Sequence, residues 1–141
     1  MPGQVSEGLV ARSRPLTGRL VLVAEDDPDV REITRLALEE ELGVRVIEAG
    51  DGEEALRLLQ AEKPSLVILD LMLPKVLGWQ VVRQARSDPG TRETPIIALS
   101  GTGDRWGALQ AGCSDYLNKP FVVEQLVGMA RRWLTTPQPA R

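Results

Sequence analysis

Residues 65–74 read Ser-Leu-Val-Ile-Leu-Asp-Leu-Met-Leu-Pro, an apolar run that ends in a single carboxylate at Asp70. Four consecutive apolar residues before that carboxylate predict a strand that is buried on both faces, as in a parallel sheet covered by helices. Open parallel sheets place their chemistry at the carboxyl ends of the strands. Asp70 is therefore the first candidate functional residue.

A second apolar run, residues 20–24, ends in the acidic stretch Glu25-Asp26-Asp27. If this strand lies beside the one that ends at Asp70, three or four negative charges meet in one crevice. Such a cluster is costly unless a cation neutralises it, and carboxylate oxygens are ligands that hard cations prefer. The sequence therefore predicts a divalent metal ion at this edge of the sheet.

An apolar run and a further short predicted strand end in polar groups of other kinds. Residues 95–99 are followed by the hydroxyl group of Ser100, and residues 115–118 are followed by Lys119-Pro120. Because the carboxyl ends of parallel strands meet at one edge, we expect the hydroxyl and the ammonium group to join the carboxylates there.

Strand patterns and helix patterns alternate along the chain. Asp27 is a plausible cap for a helix that begins at Pro28, and Gly43 is a typical residue at which to end it. The predicted helices cover residues 28–42, 51–59, 78–86, 104–111 and 122–134, and a fifth strand covers residues 44–48. Five strands alternating with five helices predict an α/β fold, a doubly wound parallel sheet with right-handed crossovers.

An acidic pair, a lone Asp, a hydroxyl residue and a Lys-Pro pair, each at the end of a strand and in this order, resemble the receiver domains of two-component response regulators. The resemblance extends from about Arg19 to Leu134. It implies a flavodoxin-like (βα)5 fold with the strand order 2-1-3-4-5. It also implies a phosphorylation-activated signalling protein, which is no enzyme beyond catalysing its own phosphorylation and dephosphorylation.

The resemblance implies a role for each residue of the candidate site. Asp70 would accept a phosphoryl group from a histidine kinase or a histidine phosphotransfer protein. Mg²⁺ would be bound directly by Asp26 and Asp70, through water by Glu25, and by the backbone carbonyl of Met72. Lys119 would contact the bound phosphoryl group as a flexible point charge.

The resemblance also implies a conformational switch. Phosphorylation would draw Ser100 toward the new oxygens and free space for Tyr116 to turn inward. The signalling surface would then be the face of the fourth helix, the last strand and the fifth helix, centred on Trp106 and Tyr116. The Lys119–Pro120 peptide bond is a candidate for the cis form, and Trp79 and Trp133 are expected in the core or half-buried.

Two loops depart from the pattern of the family. Lys75 and Leu77 follow Asp70 at positions where relatives often have Gly and Asp, so we expect an extra cation and an extra apolar group near the site. Gly101 and Gly103 follow Ser100, and two glycines lower the cost of moving that loop. These departures are expected to change the rate at which the phosphoryl group is lost and how far phosphorylation moves the Ser100 loop.

The length and net charge of the chain indicate how many domains it has and which kinds of partner it can bind. The chain has 141 residues, enough for one core, with residues 19–134 as the receiver domain and 1–18 and 135–141 as flexible tails. This length fits the stand-alone, single-domain type of receiver. A net charge of −3 favours no direct nucleic-acid binding, and no apolar run reaches the roughly 20 residues of a membrane helix.

Single residue types limit the function further. One cysteine, Cys113, and no secretory leader favour the reducing cytoplasm. The chain has no histidine, so the phosphoryl donor must be another protein or a small acyl phosphate. Output must then be contact with a downstream protein, which the sequence does not identify, or onward transfer of the phosphoryl group.

Three other classes of protein share part of this sequence pattern. A haloacid-dehalogenase phosphatase needs a second Asp two residues after the nucleophile, where this chain has Met72. The glycines at 101, 103 and 107 miss the spacing of a dinucleotide-binding loop. The remaining alternative is a receiver-fold interaction module whose binding does not depend on phosphorylation. Phosphate incorporation at Asp70 separates that module from a phosphorylated receiver.

Overall fold

A computed structural model describes residues 16–135 of the chain as one sheet flanked by helices. The strands are β1 (Leu20–Ala24), β2 (Arg45–Ala49), β3 (Leu66–Asp70), β4 (Ile96–Ser100) and β5 (Asp115–Asn118). The helices are α1 (Pro28–Leu42), α2 (Gly52–Glu62), α3 (Gly78–Ser87), α4 (Arg105–Ala111) and α5 (Val123–Thr135). The strands are parallel in the order β2-β1-β3-β4-β5, which confirms the predicted fold and topology.

The central strands are buried because helices cover both faces of the sheet. Side chains alternate along β3, so Val67 and Leu69 join the apolar layer under α2, α3 and α4, whereas Ile68 joins the layer under α1 and α5. All five residues of β3 and of β4 are buried. This arrangement explains why both strands are continuous apolar runs in the sequence.

The strand register aligns the ends of the strands at one edge. Ala24 of β1 pairs with Leu69 of β3, and Ser100 of β4 pairs with Asn118 of β5. The polar residues that follow or end these strands therefore lie in neighbouring positions along the carboxyl edge. The candidate site is a consequence of this register.

Helix ends follow the capping rules, with small shifts from the predicted bounds. Asp27 caps α1 through its Oδ1 atom, which accepts hydrogen bonds from the N–H groups of Asp29 and Val30, and Gly43 ends the helix at a φ of 71°. Asp104 is the cap of α4 rather than its first residue, because its Oδ1 accepts from the N–H of Gly107 at 2.9 Å.

The ends of the described chain pack onto the domain. The N–H group of Leu16 donates to the carbonyl of Leu42 at 2.8 Å, and its side chain packs against the layer under α1 and α5. Helix α5 continues to Thr135. The remaining parts of the predicted tails, residues 1–15 and 136–141, lie outside the described residues, so the tails stay a prediction. Between residues 16 and 135, no helix combines the length and hydropathy needed to span a bilayer.

Candidate functional site

Three carboxylates meet where β1 and β3 end. Glu25, Asp26 and Asp70 each place one oxygen within 4.8 Å of the others. The side chains differ in environment, since the exposed fractions of Glu25 and Asp70 are 1% and 4% whereas Asp26 is exposed to solvent. The sequence predicted this convergence from the strand ends alone.

Lys119 holds two of the three carboxylates. Its Nζ atom donates to Oε1 of Glu25 and to Oδ2 of Asp70, both at 2.9 Å. Its backbone N–H donates to the carbonyl of Ser100 at 2.9 Å, which fixes the chain where it leaves β5. The Lys119–Pro120 peptide bond is cis, as predicted.

The charges of the site are only partly balanced. Burial raises the pKa of Glu25 above its ordinary value, although the hydrogen bond from Lys119 opposes this effect. Burial alone would lower the pKa of Lys119, but its hydrogen bonds to Glu25 and Asp70 outweigh burial, and that pKa is raised. Three carboxylates at −3 and one ammonium at +1 leave −2. Hard oxygen donors with this excess of negative charge fit a divalent cation such as Mg²⁺.

The loop after β3 is held tightly around Asp70. Its Oδ1 atom accepts a hydrogen bond from the N–H of Met72 at 2.9 Å, and the Met72 side chain is exposed. Gly78 begins α3 directly against this loop, where an added Cβ would lie 2.8 Å from the carbonyl oxygen of Asp70. A side chain at position 78 would therefore displace the backbone that carries the carboxylate.

Ser100 forms its hydrogen bonds within the loop that follows β4. Its Oγ atom lies 3.0 Å from Oγ1 of Thr102 and accepts a hydrogen bond from the Thr102 N–H at 3.2 Å. The Thr102 hydroxyl also accepts from the N–H of Asp104. The hydroxyl of Ser100 is therefore tied to the start of α4 rather than to Asp70.

The two aromatic residues predicted at the signalling surface lie in different environments. Tyr116 is only 7% exposed, and its hydroxyl donates to Oδ1 of Asn118 at 3.0 Å and lies 3.4 Å from the carbonyl of Ser100. The Tyr116 side chain therefore points inward. Trp106 is 73% exposed on α4, so the exposed part of the surface centres on Trp106.

The neighbouring elements of this face are joined through Asp115. The indole N–H of Trp133 on α5 donates to Oδ2 of Asp115 at 2.8 Å, and the guanidinium of Arg105 on α4 lies 4.0 Å from Oδ1. Trp133 is half-buried, and so is Trp79 on the other side of the sheet, as predicted. Asp115 therefore links α4 to α5.

The cation of the loop after β3 has a partner of its own, and two further contacts lie close to the site. The ammonium of Lys75 pairs with Asp51 at the start of α2, at 3.4 Å. The guanidinium of Arg31 donates to the carbonyl of Glu25. Neither that contact nor the pairing of Thr102 with Ser100 has a sequence motif, since each depends on where a side chain folds back.

Known proteins share both the sequence pattern and the fold. The family model of the response regulator receiver domain matches residues 21–131. Response regulator MprA of Mycolicibacterium vanbaalenii is 41% identical over 122 residues, which are 83% of this chain and 52% of MprA. The chain spans about half the length of the curated transcriptional regulators that it matches, 45 to 47% of three algal relatives.

Solved receiver domains superpose over nearly their whole length. The receiver domain of sensor histidine kinase PA1611 from Pseudomonas aeruginosa, which has a magnesium ion coordinated in its active-site cleft, is 35% identical with a TM-score of 0.74. The alignment covers 84% of this chain and 99% of that domain. The Francisella response regulator 1452 receiver domain is 30% identical with a TM-score of 0.76, over 83% and 97% of the two chains.

The family model covers most of the chain, and the sheet order and the acidic cluster agree with it. Receivers of this kind are signalling modules rather than conventional enzymes, and their family binds Mg²⁺ in the acidic pocket. The chain therefore belongs to the response regulator receiver domain family, the phosphorylation-activated signalling modules of two-component systems.

Proposed function

We propose that this receiver is phosphorylated on Asp70. The observation that carries the proposal is the position of the Asp70 carboxylate, which is almost fully buried yet lies among Glu25, Asp26 and Lys119 at the open edge of the sheet. A structural carboxylate would not need two further acids beside it, because their repulsion costs free energy. A site that binds both a phosphoryl group and a divalent cation needs these charged groups together.

The transfer is a nucleophilic displacement at phosphorus. A carboxylate oxygen of Asp70 forms a bond to phosphorus while the bond from phosphorus to the donor's imidazole nitrogen breaks, and the imidazole keeps the electron pair. The N–H of Met72 holds the other carboxylate oxygen and so orients the nucleophile. Lys119, which now donates to Asp70 and Glu25, stabilises the negative oxygens of the phosphoryl group.

The residues that would hold Mg²⁺ are Asp26 and Asp70, with Glu25 and the backbone carbonyl of Met72. When bound, the ion neutralises the excess negative charge and the phosphoryl oxygens. Few protein ligands and several retained waters make a weak site, so we expect an affinity in the millimolar range, roughly 4 kcal/mol of binding free energy. The protein catalyses only its own phosphorylation and dephosphorylation.

Phosphorylation changes the surface through Ser100. The phosphoryl group replaces a charge of −1 by about −2 and adds acceptor oxygens, so the Ser100 hydroxyl exchanges its partner Thr102 for one of them. Tyr116 lies against the Ser100 carbonyl and responds to that movement. The output is a shift in the populations of two states of the face formed by α4, β5 and α5, with Trp106 as the exposed anchor.

The partners follow from the same chemistry. A histidine kinase or a histidine phosphotransfer protein supplies the phosphoryl group, because the chain has no histidine of its own. The downstream partner is a protein that binds the Trp106 face or accepts the phosphoryl group in a relay. A free thiol at Cys113 suits the reducing cytoplasm, where we place the protein. A module that binds independently of phosphorylation is not favoured, because it would not need the assembled acidic site.

Intact-mass measurement after incubation with a small acyl phosphate tests the proposal. Wild type should gain one phosphoryl group with Mg²⁺ and none with a chelator, and Asp70→Asn should gain none. Asp88→Asn is the matched control, because Asp88 lies in the loop after α3, where it accepts a hydrogen bond from the N–H of Gly90. Equal labelling of wild type and Asp70→Asn would refute the assignment, and labelling of wild type and Asp88→Asn alone supports it.

A further inference from the structure

One guanidinium joins three elements beside the acidic cluster. Arg31 lies in α1, and its Nη1 atom donates to the carbonyl of Glu25 at 2.9 Å while its Nε atom donates to Oε1 of Glu48 on β2 at 3.0 Å. It also lies against Gly50, where an added Cβ would be 3.2 Å from Nη1. The contact ties the end of β1 to α1 and β2.

The carbonyl that Arg31 holds belongs to the peptide unit between Glu25 and Asp26. A peptide unit is planar, so an oxygen fixed at one end fixes the orientation of the plane and the direction in which the next residue leaves it. The N–H of Glu25 is held separately by the carbonyl of Ala49 at 3.0 Å. Both sides of Glu25 are therefore anchored. Arg31 holds the peptide that precedes Asp26, and the N–H of Asp27 donates to Oε2 of Glu25 at 3.2 Å and so holds the peptide that follows it.

Asp26 depends on that anchor more than its neighbours do. Glu25 and Asp70 have their carboxylates held by Lys119. Within residues 16–135, no group donates a hydrogen bond to the Asp26 carboxylate, which is also exposed. The position of this carboxylate is therefore set by its backbone, and the bond from Arg31 is the side-chain contact that orients the peptide on the β1 side of Asp26.

We propose that Arg31 is a positioning residue of the metal site, which aligns the Asp26 carboxylate with those of Glu25 and Asp70 by fixing the Glu25–Asp26 peptide. The proposal rests on the proposed function, in which these three carboxylates receive Mg²⁺. Arg31 itself binds neither the ion nor the phosphoryl group. Partners that orient metal ligands typically change metal affinity by roughly 10- to 100-fold when they are removed.

Charge and positioning predict opposite effects of removing Arg31. If the guanidinium acted only as a nearby positive charge, its loss would make the site more negative and Mg²⁺ would bind more tightly. If it fixes the peptide, its loss frees Asp26 and Mg²⁺ binds more weakly. The sign of the change in affinity therefore decides between the two.

The chain provides a matched control one turn further along α1. Arg35 is also paired with Glu48, at 2.8 Å, and with Glu39, but it has no contact with the Glu25 carbonyl. Arg31→Gln and Arg35→Gln each remove one positive charge and one ion pair to Glu48. Arg31→Gln also removes the bond to the peptide of the metal site, whereas Arg35→Gln removes a pair to Glu39 within α1 instead.

A titration of the phosphate-free protein with Mg²⁺ alone, followed by the backbone amide NMR shifts of Glu25 and Asp26, tests the proposal. We expect Arg31→Gln to bind Mg²⁺ roughly 10-fold more weakly than wild type. Arg35→Gln should remain within about twofold of wild type, since water screens its charge. Unchanged or tighter binding by Arg31→Gln would overturn the positioning role.

A second variant keeps the test decisive if Arg31→Gln does not fold. Arg31→Lys retains the charge but lacks the planar fork whose separate nitrogens reach the Glu25 carbonyl and Glu48, so its Mg²⁺ affinity should also fall. An affinity equal to wild type would contradict the proposal. Thermal unfolding without metal should show similar decreases in melting temperature for Arg31→Gln and Arg35→Gln. If wild type itself shows no Mg²⁺-dependent shift, the proposed function fails, whereas equal binding by wild type and Arg31→Gln overturns only the role of Arg31.

Discussion

The ammonium nitrogen of Lys119 lies 2.9 Å from Oδ2 of Asp70, at the bottom of the acidic crevice. The same nitrogen lies 2.9 Å from Oε1 of Glu25, so one cation already occupies an oxygen of two of the three carboxylates. Lys119 therefore stabilises these two carboxylates and would compete with a metal ion for the same oxygens.

Lys119→Met should increase the affinity for Mg²⁺. The substitution removes the competing cation and leaves the crevice more negative, which we expect to strengthen binding by about 1 kcal/mol, roughly fivefold, after allowance for solvent screening. An NMR titration of the unphosphorylated protein measures the change. Weaker binding in Lys119→Met would show that the lysine organises the carboxylates more than it competes for them.

Asp70→Asn should stabilise the metal-free protein against urea. It removes one charge from a cluster of three carboxylates, so the free energy of unfolding should rise by about 1 kcal/mol. Added Mg²⁺ should then raise the stability of wild type but not that of Asp70→Asn, because a ligand stabilises only the state that binds it. Asp88→Asn serves as control, and an equal response of all three proteins to Mg²⁺ would contradict the assigned ligands.

Thr102→Val should favour the activated state. The Thr102 hydroxyl lies 3.0 Å from Oγ of Ser100. Ser100 has to give up this hydrogen bond when it turns toward the phosphoryl group, so removing the Thr102 hydroxyl removes that cost. A net hydrogen bond is worth about 1 kcal/mol, so the concentration of the phosphoryl analogue beryllofluoride needed for half-activation should fall roughly fivefold. In a Ser100→Ala background, Thr102→Val should have no effect. A fivefold change in that background as well would place the effect elsewhere in the loop.

Trp106 and Trp133 should respond differently to truncation. Trp106 is 73% exposed, so Trp106→Ala should change the free energy of unfolding by less than about 0.5 kcal/mol. Trp133 is half-buried and donates to Asp115, so Trp133→Ala should cost about 2 to 4 kcal/mol. Urea denaturation compares the two. A cost of several kcal/mol for Trp106→Ala would assign it to the core instead of the binding surface.

Cys113 should be nearly inert in the folded protein. Burial raises the pKa of its thiol to about 11, whereas a thiol in an unfolded chain has a pKa of about 8.5. At pH 8 the reactive thiolate is therefore scarcer in the folded state by a factor on the order of 100, and a thiol reagent should react that much faster in denaturant.

The same shift makes a prediction for stability. The Cys113 thiol has a higher pKa in the folded state than in the unfolded state, so the unfolded state loses its proton first as the pH rises. The stability that the neutral thiol contributes is complete below about pH 8.5 and is lost as the pH rises toward 11. Cys113→Ala should lose this part of the pH dependence in urea titrations at alkaline pH. An identical alkaline pH profile for the two proteins would contradict the shift.

Local patterns determined most of the architecture. The apolar run before Asp70, the alternation of strand and helix periods, and the caps at Asp27 and Gly43 depend on neighbours within a few residues, and the structure has each of them as predicted. The position of a residue at the end of a strand is set by how that strand pairs in the sheet. Parallel pairing was therefore enough to bring Glu25, Asp26 and Asp70 together.

The tertiary structure decided which side chains meet across elements far apart in the sequence. Lys119 bonds Glu25 from 94 residues away, Arg31 turns back to a carbonyl rather than outward to water, and Lys75 pairs with Asp51 instead of the acidic cluster. Long charged side chains have several rotamers of similar energy, and only the surrounding backbone selects among them. The sequence by itself therefore determined the fold and the acids of the site, whereas the packing of α1, β5 and the loops decided which cations hold those acids in place.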